Sequence, residues 1–341
     1  MSSSDTTPET ALRAGLNAWE EMLVTLLSIP SVTGSEERAS IMLESYLARF
    51  FPEAEVSRQA VAPGRWNVIM SRGEPKVTLT SHIDTVPDGP SVAVTPESII
   101  GRGACDAKGQ IVAQLWGLWQ ACQRGLANYR CAYVVGEEVD SVGARAFLDL
   151  PTTPYILNGE PTGNLFARRS WGVVDVELET TGRSAHSSLG ADDSAIHALV
   201  DDLSSLLRDV PDGMSLNVGT IRGGSAPNVQ AAAASCQVCA RVRGGIEPLR
   251  KLFKERLRRA RWRLPDQATL GLELFVPESR CESALEVKFG SDCSIFAQRY
   301  ERIMLFGPGS IADAHTEDER LSRTELAEAA AVLAGVLKEI A

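Results

Sequence analysis

The chain has 341 residues, 44% of them apolar and 23% charged, and a formal net charge of −10. That length and apolar content suit two domains with separate cores and exclude a disordered or fibrous chain. The acidic balance argues against nucleic acid or an anionic membrane as partner, since both select a basic face. No run approaches the ~20 apolar residues of a membrane span, and the opening Met-Ser-Ser-Ser-Asp lacks the basic and apolar regions of a signal peptide. The expectation is a cytoplasmic protein that acts on small molecules. Seven cysteines at irregular spacing read as reduced thiols. Cys236-Gln-Val-Cys239 lies in a run of small and β-branched residues and reads as strand interior rather than a zinc or redox pair.

In chain order, residues 8–27 space Leu12, Leu16, Trp19, Leu23, Leu26 and Leu27 as a helix that stops before Pro30. A second helix is expected over 36–50, with Ser35 as its N-cap. Apolar runs at 66–70, 77–81, 132–135 and 155–157 read as strands, with helices over 107–124 and 142–148 between them. Strands alternating with helices predict an α/β fold, a mostly parallel sheet flanked by helices, with its ligand site at the carboxyl ends of the strands. From residue 170 the texture changes: strand 173–178, helix 194–207, strands 215–221 and 229–242, a basic amphipathic helix 247–261 and a strand 269–275. That order is a split, ferredoxin-like α+β unit. The first pattern resumes with a strand at 303–306, the turn Gly307-Pro308-Gly309 and a closing helix over 324–340. The expected organisation is a catalytic domain of residues 1–169 and 278–341, interrupted by an inserted domain of 170–277.

The chemistry-bearing residues sit at the ends of these apolar runs. His82 closes Val77-Thr-Leu-Thr-Ser-His82, and Asp84, two residues on, can face the same way and accept from the imidazole. Asp106 lies in Gly101-Arg-Gly-Ala-Cys-Asp106-Ala-Lys-Gly109 at a helix start, where an ordinary N-cap is the simpler reading. Glu137 and Glu138 follow a strand, and adjacent carboxylates on opposite faces make sense if they do different jobs. Glu160 and His315 end the next two runs. Each alone has a bland explanation, but the chain holds only four histidines, and two imidazoles with three carboxylates balance as a site. Two divalent cations carry four positive charges; Asp106, Glu138, Glu160 and one hydroxide supply four negative ones. His197, among Ala195, Ile196 and Leu199, reads as structural.

These motifs resemble those of the co-catalytic zinc exopeptidases and deacylases: acetylornithine deacetylase, succinyl-diaminopimelate desuccinylase, acetyl-lysine deacetylase, carboxypeptidase G and the aminoacylases. The resemblance begins at Leu27-Ser-Ile-Pro-Ser-Val-Thr-Gly34 and covers essentially the whole chain. Its last motif, Gly307-Pro-Gly-Ser-Ile-Ala-Asp-Ala-His315, is nearest to acetylornithine and acetylcitrulline deacetylases. The resemblance implies a zinc-exopeptidase-like domain and an inserted lid and dimerisation domain. It implies two zinc or cobalt ions, one held by His82 and Glu160, the other by Glu138 and His315, with Asp106 bridging. Asp84 would orient His82, Glu137 would be the general base for a hydroxide shared by the metals, and Asp106-Ala107 would be a cis peptide. His186, in Gly182-Arg-Ser-Ala-His186-Ser-Ser, would stabilise the oxyanion, reaching a neighbour's site in a homodimer. Arg169, Asn228, Arg243 and Gly309 match positions that contact substrate, the arginines suiting a carboxylate.

The implied reaction is hydrolysis of the amide bond of an N-acyl-L-amino acid, of the N-acetylornithine type. Acetylcitrulline, acetyl-lysine, succinyl-diaminopimelate and dipeptides are alternatives. Glu160 stands where aminopeptidase relatives tend to carry aspartate, which favours deacylation or carboxypeptidase-like cleavage. Asp313 replaces a glutamine common among acetylornithine deacetylases, and Ser291-Asp292-Cys293 matches their substrate-loop motif loosely. A catalytically silent binding protein on the same fold is the competing class; intact ligands and base count against it.

Overall fold

The structure is a computed structural model that describes residues 15–190, 193–264 and 270–341. These divide into two compact units. The first holds the described residues up to Arg168, with Leu274–Leu285 and Ser291–Ala341; the second holds those of Arg169–Glu273, with Glu286–Gly290.

In the first unit, helix α1 spans Ala18–Leu27 and begins at a capping box, where the Asn17 side chain accepts from Glu20 N–H and the Glu20 carboxylate accepts from Asn17 N–H. The expected start is corrected: Leu16 precedes the cap, and Leu12 lies outside the described residues. Helix α2 spans Glu37–Phe50 without a side-chain cap, so Ser35 is not its N-cap. Glu36 there is buried and paired with Arg65 instead.

A hairpin of β1 (Glu55–Ala62) and β2 (Arg65–Arg72) follows. Strand β3 is Val77–His82, helix α3 Lys108–Cys122, strand β4 Tyr129–Val134, helix α4 Val142–Phe147 and strand β5 Tyr155–Asn158. With Ile303–Leu305 they form a six-stranded sheet of order β1-β2-β4-β3-β5-(303–305). The three pairings among β4, β3, β5 and 303–305 are parallel, and the two that add β2 and β1 are antiparallel. The mostly parallel α/β sheet is present, with an antiparallel edge that sequence periodicity did not reveal. All six residues of β3 are buried, as expected of a strand between two parallel neighbours. Helix α1 and the closing helix Arg323–Ile340 pack against α3.

The second unit has a four-stranded antiparallel sheet built from β6 (Gly172–Thr181), β7 (Met214–Gly223), β8 (Ala233–Val242) and β9 (Arg261–Arg263), in the order β7-β8-β6-β9. Helices α5 (Ala195–Leu207) and α6 (Glu247–Arg256) contribute Leu199, Leu203, Leu206, Leu249, Leu252 and Phe253 to its core. The β-α-β-β-α-β order holds, but the last strand is corrected. Helix α6 ends at Arg256, Arg261–Arg263 supplies the fourth strand, and Leu272–Glu273 pairs with Arg169 and Ser170 instead. Thr269 lies outside the described residues. His197 is exposed on α5, so it is not a core histidine. Cys236 is buried and Cys239 half-buried on β8, three residues apart and therefore on opposite faces, and both are free thiols. Among the described residues no helix is long and apolar enough to cross a membrane.

Candidate metal centre

The carboxyl end of the parallel strands delivers the first candidate ligand. His82 is the last residue of β3 and is buried. Its Nδ1 lies 2.9 Å from the carbonyl oxygen of Asp84, and its Nε2 2.9 Å from a carboxylate oxygen of Asp106. A carbonyl can only accept, so Nδ1 carries the hydrogen and the neutral ring turns its Nε2 lone pair toward Asp106. Two acceptors so close require a proton or a cation between them.

Asp106 does not cap α3, whose N-cap is Ala107; its carboxylate turns to His82 and to His315, at 2.9 Å and 3.2 Å. The Asp106-Ala107 peptide is cis. Helix α3 itself holds this loop in place: Gln110 donates through Nε2 to Cys105 O and Pro308 O, both at 2.7 Å. The same side chain explains Gly307, where a Cβ would fall 1.7 Å from Gln110 Oε1. Lys108 donates to Leu26 O and Ile29 O at the end of α1; burial lowers its ammonium to about 7, with Glu319 pulling the other way.

Asp84 has a larger task than the one implied by resemblance. The hydrogen bond that orients His82 comes from the Asp84 backbone carbonyl, while its carboxylate lies 3.6 Å from Nδ1. That carboxylate accepts from Thr33 Oγ1 at 2.7 Å and from the N–H groups of Gly136, Glu137 and Glu138 at 2.9, 3.1 and 3.2 Å. It pins the turn that carries both glutamates. Asn67 fixes the turn from the other side, accepting from Val135 N–H and donating to Gly143 O.

Ligand atoms of His82, Asp106 and Glu160 lie within 4.8 Å of one another, as do those of Asp106, Glu138 and His315. Asp106 belongs to both groups. His315 follows a loop rather than ending a strand, with a left-handed backbone at φ 62°, and its Nε2 is 3.0 Å from Glu138. Gly309, within that loop, has φ 81° and stands against Cys105, where a Cβ would come within 3.1 Å.

Buried ionisable groups are concentrated here. Burial and repulsion from Glu160, Asp292 and Glu138 push the Glu137 carboxyl well above its ordinary range, against the pull of His82. Burial and Asp106 do the same to Glu160. Buried Asp292 rises to about 6, chiefly by desolvation. Hydrogen bonds to Asp106 and Glu138 push His315 up to about 10. For His82, burial opposes the proton but hydrogen bonds to Asp106 and Asp84 outweigh it, so its pKa also rises well above normal. These are protons standing where cations would. Imidazole nitrogen and carboxylate oxygen in two groups that share a carboxylate suit a pair of zinc-like divalent ions.

The remaining candidates lie in the second unit. His186 is exposed; its Nδ1 accepts from Ser188 N–H at 3.2 Å and lies 2.8 Å from Ser188 Oγ. With Nδ1 accepting, the neutral ring presents Nε2–H as a donor. Asn228 is brought beside it, since Asn228 O accepts from Ser187 N–H and His186 bridges Val229. Arg169 pairs with Glu273, and Arg243 forms a two-pronged pair with Glu286 at 2.8 and 3.1 Å, so both guanidinium groups have carboxylate partners already.

Residues 78–239 match the model of the peptidase family M20/M25/M40. A protein of Aeropyrum pernix named as a LysW-lysine/LysW-ornithine hydrolase is 30% identical over 93% of this chain and 94% of its own. The chain belongs to this family. The resemblance read from the motifs therefore holds at the level of the family, and with it the enzyme class of metal-dependent amidohydrolase. A probable carboxypeptidase of Aspergillus terreus is 30% identical over 89% of this chain and 82% of its own. The fold is shared with a dinuclear metal-binding M20 peptidase of Bacillus subtilis, at a TM-score of 0.70 and 15% identity over 95% of this chain and 98% of that one.

Sequence reasoning gave no role to Thr33, Asn67, Gln110 or Glu319, which buttress the centre, and read Asp292 only as part of a loose substrate-loop match, whereas it crowds Glu137 and Glu160.

Proposed function

We propose that this M20-family enzyme hydrolyses the amide bond of an N-acyl-L-amino acid bearing a free carboxylate, an N-acetylornithine-type deacylation, with two divalent ions at the centre. The observation that carries the reading is the pair of ligand groups joined at Asp106, with Glu137 on the adjoining turn. His82, Asp106 and Glu160 hold one ion, and Asp106, Glu138 and His315 the other. Zinc or cobalt so held supplies an acidified water and a Lewis acid for the acyl carbonyl. Glu137, carried on the turn that Asp84 holds, takes the water proton and returns it to the leaving amine. His186 donates Nε2–H to the oxyanion in a neighbour's site, and Arg169, Asn228, Arg243 and Gly309 are the proposed substrate contacts, the arginines for its carboxylate. The inserted domain serves as lid and homodimer contact, and seven free thiols suit a reducing cytoplasm.

The names of the Aspergillus terreus and Aeropyrum pernix relatives favour a second reading, release of a C-terminal amino acid or hydrolysis of a LysW-linked lysine or ornithine. Turnover of N-acetyl, N-succinyl and dipeptide panels by cobalt-loaded protein separates the two. Glu137→Gln is expected to keep both metals and lose about 10³-fold in kcat; wild-type turnover in that variant removes Glu137 as the base.

A further inference from the structure

Glu319 is fully buried, and one of its carboxylate oxygens accepts from three backbone N–H groups of the loop that presents Asp106: Gly103 at 3.0 Å, Cys105 at 3.2 Å and Asp106 itself at 3.1 Å. The other oxygen takes the guanidinium of Arg102, which also donates to Asp88 O and Thr316 O. The backbone continues the link, since Glu319 O accepts from Gly101 N–H. Three N–H groups converging on one atom form an anion nest, and only an acceptor without hydrogens can satisfy all three. Glu319 lies on the same loop as His315, which faces Asp106 at 3.2 Å. One buried side chain thus ties the carboxylate shared by both ligand groups to the loop of a ligand found in only one.

We propose that Glu319 is a positioning residue for the shared ligand, setting where the Asp106 carboxylate stands relative to His315 and thereby the affinity for the second cation. The inference rests on the two-cation reading of the centre. A metal centre holds its ions tightly only when its ligands are themselves held by hydrogen bonds; loss of such support typically weakens binding by 10–100-fold. Glu319→Gln keeps the shape but gives up the charge, and one of its two edges becomes an NH₂ that meets either the amide nest or Arg102. Glu319→Asp keeps the charge and shortens the reach by one methylene, so it should recover part of the loss.

The test is a cobalt(II) titration of metal-free protein, followed by visible absorption and by metal analysis after dialysis, well below the melting temperature of each variant. Wild type is expected to take up two ions. Glu319→Gln is expected to bind the second at least ten-fold more weakly, with a changed cobalt spectrum, and Glu319→Asp to fall between. A merely structural role would lower the melting temperature of the metal-free protein and leave affinity and spectrum per folded molecule unchanged; that result overturns the proposal. If Glu319→Gln does not fold, Arg102→Gln loosens the carboxylate without touching the nest, and it must then weaken the second ion at least three-fold; wild-type affinity there also overturns it. A wild type that binds no cobalt overturns both this inference and the two-cation reading, whereas normal binding in all variants overturns this one alone.

Discussion

Replacing Asp84 by asparagine separates the two jobs that its position allows. The side chain is fully buried and its carboxylate accepts four hydrogen bonds, at 2.7 Å from Thr33 Oγ1 and 2.9, 3.1 and 3.2 Å from the N–H groups of Gly136, Glu137 and Glu138. In Asp84→Asn the amide oxygen can serve Gly136 and Glu137, where a bond to a charged acceptor, about 1.5–3 kcal/mol, becomes a neutral one of about 1 kcal/mol. The NH₂ then faces Thr33, whose hydroxyl can turn to accept, and Glu138 N–H, which cannot. An orphaned buried donor costs about 1–3 kcal/mol. The sum is about 4 kcal/mol, a large share of the ~5–15 kcal/mol by which a domain is stable. Urea unfolding of the metal-free variant measures it. Because the turn carries Glu138, affinity for the ion shared with His315 should fall 10–100-fold, while the His82 group, oriented by the Asp84 carbonyl, keeps its ion. Asp84 ionises below its ordinary range: burial works against the charge, but the neighbouring His82 imidazole and the hydrogen bonds from Thr33 and the turn outweigh it. Its contribution is therefore present above about pH 4 and lost on acidification below that. A loss under 1 kcal/mol with both ions retained would refute this account of the turn.

Further outcomes are open to measurement. In the metal-free protein His315 stays protonated up to about 10, so the stability it adds is complete below its unfolded pKa of about 6.5 and fades as pH rises through 10. A His315→Asn comparison across that window reads the loss, and a flat difference refutes it. Cobalt must displace such protons, so calorimetry at pH 7.5 in buffers of different ionisation enthalpy should show proton release; buffer-independent heats would contradict the assignment. Gly309→Ala places a Cβ 3.1 Å from Cys105 and 3.2 Å from Leu321 at φ 81°, and should cost about 2 kcal/mol, read as a lowered melting temperature; an unchanged one speaks against the strain. His186→Ala removes an exposed ring, so folding should survive while kcat drops about 10²-fold; full activity would exclude it as the oxyanion donor.

The candidate site was legible because an apolar run announces where a buried strand ends, and His82 and Glu160 sit at or just beyond such ends. His315 was expected at such an end too, but the strand stops at Leu305 and a glycine-rich loop lies between it and the imidazole. Less was visible where two patterns overlap. Leu12 and Leu16 extend the period of α1 upstream of its true cap at Asn17, and the basic run around Arg261 continues a helical rhythm through a residue that pairs as strand with Glu179. The β1 hairpin hides because polar and small residues alternate there without an apolar face. Glu319 could not be read at all. Its partners are amides 213 to 216 residues earlier, and nothing in Glu317-Asp318-Glu319 says which acid is buried.

The pairing of Leu272–Glu273 with Arg169 and Ser170 also bears on how the chain is made. Antiparallel partners stand about 5 Å apart, so the two ends of the segment Arg169–Glu273 lie side by side, and the hundred or so residues between act as one long turn. Such an insertion adds little closure entropy, because that cost grows only with the logarithm of loop length. His315 and the edge strand Ile303–Leu305 are nevertheless synthesised after it. On a ribosome, the first unit therefore waits for the second to emerge before it can complete its sheet, and the cluster of Asp106, Glu138 and His315 comes together only with the last part of the chain.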